Sequence, residues 1–103
     1  MSSLSTHVLD TAQGRPAAGV PVDLLDASGA GLATGITDDD GRVTALADDL
    51  AAGSYTLRFD VAAYQPGGFY PEVAVTFTVA EDESHYHVPL LLSPYGYSTY
   101  RGS

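Results

Sequence analysis

Runs that alternate apolar and polar residues commit this chain to half-buried β-strands, because successive side chains of a strand point to opposite faces. Tyr55, Leu57, Phe59 and Val61 are separated by Thr56, Arg58 and Asp60, the pattern of an antiparallel strand with one wet face. Val73, Val75, Phe77 and Val79 repeat it against Ala74, Thr76 and Thr78. Val20, Val22 and Leu24 do so more weakly, and Pro21 suggests an edge position or a bulge. Turn residues punctuate the runs at Gln13-Gly-Arg-Pro16, Ala27-Ser-Gly29, Asp40-Gly41, Ala52-Gly53, Gln65-Pro-Gly-Gly68 and Ser93-Pro94. Seven or eight short strands at this spacing predict an all-β sandwich built as one domain over residues 1–103. Helical periodicity is nearly absent and at most one short helix is expected: Ala45 to Ala51 is too short to convince, and Ala62-Ala63-Tyr64 before Pro66 could form one turn.

Composition removes several function classes. The chain has no cysteine, which excludes disulfides and a thiol nucleophile, and no lysine, which excludes Schiff-base chemistry. A formal charge of −9, from 13 acidic residues against 4 arginines, argues against nucleic acid or an acidic membrane as partner. No apolar run approaches the roughly 20 residues of a membrane span, and the N-terminus lacks the pattern of a secretory signal. A cytoplasmic location is the expectation.

The last strand carries the chemistry. In His85-Tyr-His-Val-Pro-Leu-Leu-Leu92, period two puts Tyr86, Val88, Leu90 and Leu92 in the core. His85, His87, Pro89 and Leu91 then share the outer face. On the first strand Ser5, His7 and Leu9 alternate with Leu4, Thr6 and Val8, so His7 can join that face. Pro89, Leu91 and Tyr100 would form an exposed apolar strip there, which predicts subunit contact. Tyr95 and Tyr97 are read with Tyr100 as core and interface residues rather than a stacking platform for bases.

Three histidines, an arginine and a terminal Ser103 carboxylate could hydrolyse a substrate without a covalent intermediate. An imidazole with a pKa near ~6.5 can take a proton from water, and a guanidinium can hold an oxygen that gains charge. His85, at the wet start of its strand, reads as a solvated residue, whereas His7 and His87 have little structural use beside apolar neighbours. Arg42 could serve the site or merely neutralise Asp38-Asp39-Asp40 before it. That acidic run is not a calcium loop, since with Gly41 in the glycine position the end ligands would be Ile36 and Ala47. His7 with His85-Tyr86-His87 could instead bind zinc. No nucleophile elbow, zincin helix, phosphate loop or dinucleotide fingerprint is present.

Leu4-Ser-Thr-His-Val-Leu-Asp10, Gly14-Arg-Pro-Ala-Ala-Gly-Val-Pro21, Asp40-Gly-Arg-Val43, Phe69-Tyr-Pro-Glu72, His85-Tyr-His-Val-Pro89 and the ending Tyr100-Arg-Gly-Ser103 together resemble the transthyretin-like 5-hydroxyisourate hydrolases. The resemblance runs from Leu4 to Ser103. It implies a transthyretin-like (prealbumin-like) sandwich of eight strands and a homotetramer arranged as a dimer of dimers, with active sites where dimers meet. It further implies metal-independent hydrolysis of 5-hydroxyisourate, in urate degradation, with no cofactor. Carried over by position, the catalytic set is His7, Arg42, His87 and Ser103, while Tyr100, Arg101 and Gly102 shape the substrate pocket. His85 matches no catalytic position. The segment between Phe59 and Phe69 is shorter than the helix and loop usual in the family. The competing reading is a small-molecule carrier of the transthyretin type, which has no need for the Tyr-Arg-Gly-Ser ending.

Overall fold

The computed structural model describes residues 1–103, and its elements follow the alternation. In chain order they are β1 (Ser2–Asp10), β2 (Arg15–Pro16), β3 (Pro21–Leu25), β4 (Gly31–Ile36), β5 (Arg42–Leu50), β6 (Gly53–Asp60), α1 (Val61–Tyr64), β7 (Glu72–Val79), β8 (His85–Ser93) and β9 (Gly96–Thr99). Two sheets face each other. One runs β4-β3-β6-β7 and is antiparallel throughout. The other has β1 at its centre, with β8 and then β9 on one side and β5 and the two-residue β2 sharing the other. Nine strand segments therefore build the sandwich, and no helix is long and apolar enough to cross a membrane.

The inward positions of the alternating runs make the core. Phe59, Leu57, Leu24, Val22 and Val73 from one sheet meet Leu4, Val8, Val88 and Leu90 from the other. Each such side chain contributes about 1.5–3 kcal/mol on burial. β1 and β8 are the one parallel pair, aligned from Ser3 opposite His85 to Asp10 opposite Leu92. Thr6 fits this dry interface because its hydroxyl donates to the Val88 carbonyl at 2.7 Å.

The stretch Ala45 to Ala51 falls almost wholly in β5, where bulges against β1 let Val43, Leu46 and Leu50 all turn toward the core at spacings of three and four. Three expectations change. β3 is a central strand, and Pro21 is tolerated because it occupies the first position, where a missing N–H costs least. Pro89 is buried, since His7 of β1 lies opposite it on one side and the chain from Thr99 to Gly102 runs along the other. The expected apolar strip is thereby reduced to half-buried Leu91 and exposed Tyr100. Tyr95 and Tyr97 are not core residues: Tyr95 is 81% exposed, and both stack edge-on with Phe69 and Tyr70 at the surface.

The single helical turn after β6 does form. The Asp60 carboxylate accepts from the Ala63 N–H, capping α1, and the Tyr64 hydroxyl donates to the buried Asp10 carboxylate at 2.7 Å. Burial, then the Asp10 contact, raises the Tyr64 pKa. The short segment thus anchors the far end of β1.

The turn before β5 depends on Gly41. Its φ of +74° is a left-handed conformation, and a Cβ there would lie 2.4 Å from the Val8 carbonyl oxygen and 3.0 Å from the Pro16 Cβ. Gly41→Ala should therefore destabilise the fold by about 1–3 kcal/mol or more. Gly29→Ala, at φ +87° with open space around it, should cost less. Urea unfolding of both variants measures the difference, and equal losses would contradict the close-approach argument.

Candidate functional site

Three neighbouring strands bring the candidate residues to the outer face of the β1 sheet. Across the antiparallel β1–β5 pair, His7 stands directly opposite Arg42. Across the parallel β1–β8 pair, Ser5 stands opposite His87, which places His7 and His87 diagonally on one face. Their rings are 6.4 Å apart between centroids and tilted by 38°. Nε2 of His7 is buried and has no hydrogen-bond partner. A buried imidazole nitrogen without a partner is costly in a finished core and useful where a ligand will arrive.

The acidic turn serves to place Arg42. The Asp38 carboxylate accepts from the N–H groups of Asp40 at 2.9 Å and Arg42 at 3.0 Å, and the Asp38 N–H donates to the Arg42 carbonyl. The Arg42 guanidinium does not neutralise that turn, because the ion pairs of this chain are made by Arg58 and Arg101. It instead acts electrostatically on His87. The His87 pKa is lowered from the ordinary 6.5, first by burial and then by the positive charge of Arg42, with His7 and His85 adding to the effect. His87 is consequently held neutral at neutral pH, the state in which an imidazole can accept a proton. The same shift bears on stability: the unfolded chain binds this proton more readily, so stability falls as pH drops through 6.5 toward the lower folded value.

The C-terminal residues divide. The Gly102 N–H donates to the His87 carbonyl at 2.8 Å, and a Cβ at Gly102 would lie 2.6 Å from His87 Cδ2. Only glycine lets the chain pass so close to the ring. Arg101 turns elsewhere: it pairs with Glu83 at 3.3 Å and lies over the Tyr86 ring at 4.6 Å. Tyr100, 55% exposed, borders with Arg101 a groove of about 250 Å³ between β7 and the C-terminal segment, and neither His7 nor His87 lines it. Ser103 is exposed at the end of this segment.

His85 has partners that the sequence reading did not give it. Its Nδ1 lies 2.5 Å from the Ser3 hydroxyl and its Nε2 lies 3.1 Å from the Ser5 hydroxyl, which is also 2.8 Å from Nδ1 of His87. Ser3 and Ser5 are thus site-region residues that sequence reasoning missed. Their signal was present as the period-two run Ser3, Ser5, His7, but its meaning depends on the parallel register with β8. No group of three or more metal-ligating side chains comes together.

Comparison with known proteins bears on the family and the fold. The family model described as "HIUase/Transthyretin family" matches residues 4–102. The chain is 44% identical to the uric acid degradation bifunctional protein TTL of Arabidopsis thaliana, over 97% of this chain but only 37% of that protein's length. It is 46% identical to the 5-hydroxyisourate hydrolase of Caulobacter vibrioides over the whole of both chains. Among solved structures, the 5-hydroxyisourate hydrolase of Klebsiella pneumoniae superposes with a TM-score of 0.90 at 38% identity, covering 100% of each chain. Sea bream transthyretin in complex with thyroxine gives 0.87 at 32% identity, covering 96% of this chain and 93% of that one.

The electrostatics of His87 can be read directly. An NMR titration of the imidazole signals should give His87 a midpoint below 6.5, and Arg42→Gln should move it upward by removing the neighbouring charge. A midpoint that does not respond to Arg42→Gln would contradict the assigned coupling.

Proposed function

Since this chain belongs to the HIUase/Transthyretin family, we propose that it hydrolyses 5-hydroxyisourate to 2-oxo-4-hydroxy-4-carboxy-5-ureidoimidazoline, a step of urate degradation, without a metal or cofactor. The observation that carries this reading is the His7–His87 pair on one sheet face, with Nε2 of His7 unpartnered and Arg42 beside it. The full-length match to a hydrolase supports catalysis over carriage.

In this mechanism water is the nucleophile. Its oxygen bonds to a ring amide carbon while one of the two imidazoles takes its proton, and Arg42 steadies the carbonyl oxygen as negative charge builds. The C–N bond then breaks, the leaving nitrogen receives a proton, and the carbonyl becomes the new carboxyl. Gly102 keeps the terminal segment against His87, and we assign Ser103, the residue after it, to the same network. Tyr100 and Arg101 shape the pocket from the other side of that segment. The low His87 pKa suits a base that must be unprotonated near neutrality.

The open sheet face of a single chain calls for a second wall. We assign that wall to another subunit, in a tetramer built as a dimer of dimers, supported by half-buried Leu91 on the same face of β8 as His87 and by exposed Tyr100. We place the protein in the cytoplasm, where a cysteine-free chain loses nothing to reducing conditions.

Freshly generated 5-hydroxyisourate, followed by the decay of its absorbance against the spontaneous background, tests the activity with and without chelator. Turnover unaffected by chelator is expected. His7→Ala and His87→Ala should each lose about 10²–10⁴-fold while folding normally, and His85→Ala should lose much less. Finding His85→Ala the most damaging of the three would overturn the assignment. Light scattering should give a tetramer, and a fully active monomer would remove the shared-site reading.

A further inference from the structure

The hydroxyls of Ser3 and Ser5 and the ring of His85 form one continuous line of contacts that ends on His87. Ser84 lies at its start: the Ser3 hydroxyl is 3.2 Å from the Ser84 carbonyl oxygen and 2.5 Å from Nδ1 of His85. Nε2 of His85 is 3.1 Å from the Ser5 hydroxyl, which is 2.8 Å from Nδ1 of His87. Each hydroxyl has one hydrogen, and each neutral imidazole has one N–H and one lone pair.

Only one direction satisfies every contact. A carbonyl oxygen can only accept, so Ser3 donates to Ser84 and its oxygen accepts from Nδ1–H of His85. Nε2 of His85 then carries the lone pair and accepts from Ser5, whose oxygen in turn accepts from Nδ1–H of His87. The reverse direction abandons the Ser84 contact. Nε2 of His87 is therefore the bare, basic nitrogen.

We propose that Ser3, His85 and Ser5 form a hydrogen-bonded chain that locks His87 in the Nδ1–H tautomer, making Ser5 and His85 positioning residues for proton transfer at Nε2 of His87. The register of β1 against β8 makes this possible, since it sets Ser3 opposite His85 and Ser5 opposite His87. When Nε2 accepts a proton, the Nδ1–H···Oγ bond becomes charge-assisted and strengthens, so the chain favours the protonated state as it forms. Loss of the correct tautomer is known to disable an otherwise intact catalytic imidazole.

The kinetic part of this proposal rests on the hydrolytic reading; the tautomer does not, because it is measured without turnover. Long-range proton–nitrogen correlation spectra of ¹⁵N-histidine-labelled protein, recorded well above the imidazole pKa, distinguish a protonated from a bare ring nitrogen. His87 should show protonated Nδ1 and bare Nε2. Ser5→Ala should admit the opposite tautomer and lower kcat by about 10–100-fold with little change in KM, the scale at which partners behind a functional imidazole act. His85→Ala, at an exposed position, breaks the chain one link further out and should produce a partial tautomer shift with a few-fold loss. It decides the matter if Ser5→Ala does not fold.

A wild-type His87 protonated on Nε2 would overturn the proposal, as would an unchanged tautomer in both variants. An inactive protein with the expected tautomer would instead sink the hydrolytic reading and leave the chain of contacts standing.

Discussion

The parallel pairing of β1 with β8 is the constraint on which the rest depends. It is the one parallel contact in an otherwise antiparallel sandwich, and it joins the first strand to the penultimate one in perfect step over eight residue pairs. Period two on each strand then does two jobs together. Inward, it packs Leu4, Thr6 and Val8 beside Tyr86, Val88 and Leu90. Outward, it lines up Ser3, Ser5 and His7 with His85, His87 and Pro89. A slip of one residue in this pair would turn the histidines into the core and Val88 into water, so core and site enforce the same register.

The site is electrostatically unusual for so acidic a protein. Thirteen carboxylates lie in the sequence, yet the groups that act on His87 are Arg42 and two other histidines. Carboxylates near an imidazole favour its protonated form, and a base that must be neutral at work is better served by their exclusion. The aspartates before β5 illustrate the separation: Asp38 spends its carboxylate on backbone N–H groups, and the arginine it positions supplies the opposite charge to the ring.

Much of this was legible in the sequence. The alternation of Tyr55 to Phe59 and of Tyr86 to Leu92 gave the strands and their buried faces, because a sheet face must be continuous to exclude water. Pairing of strands distant in sequence was not legible, and each shortfall follows from that. Ser5 and His85 are ordinary polar residues until β1 and β8 are laid side by side. Pro89 looked exposed because the returning terminal segment that flanks it lies outside the period of its own strand. β5 showed no clear alternation because bulges shift the spacing of its inward residues away from period two.

The contact between Ser5 and His87 spans 82 positions of the chain. A ribosome therefore releases the first strand long before its partner exists, and the sheet containing His7 stays open on one side until β8 has emerged. Closing so long a loop is slow, since its entropy is lost before any contact rewards it. During that interval the edge of β1 that β8 will cover is an unpaired template for another nascent chain. The geometry that aligns the imidazoles thus makes the site among the last parts of the fold to form, and leaves the protein most vulnerable to aggregation just before it can act.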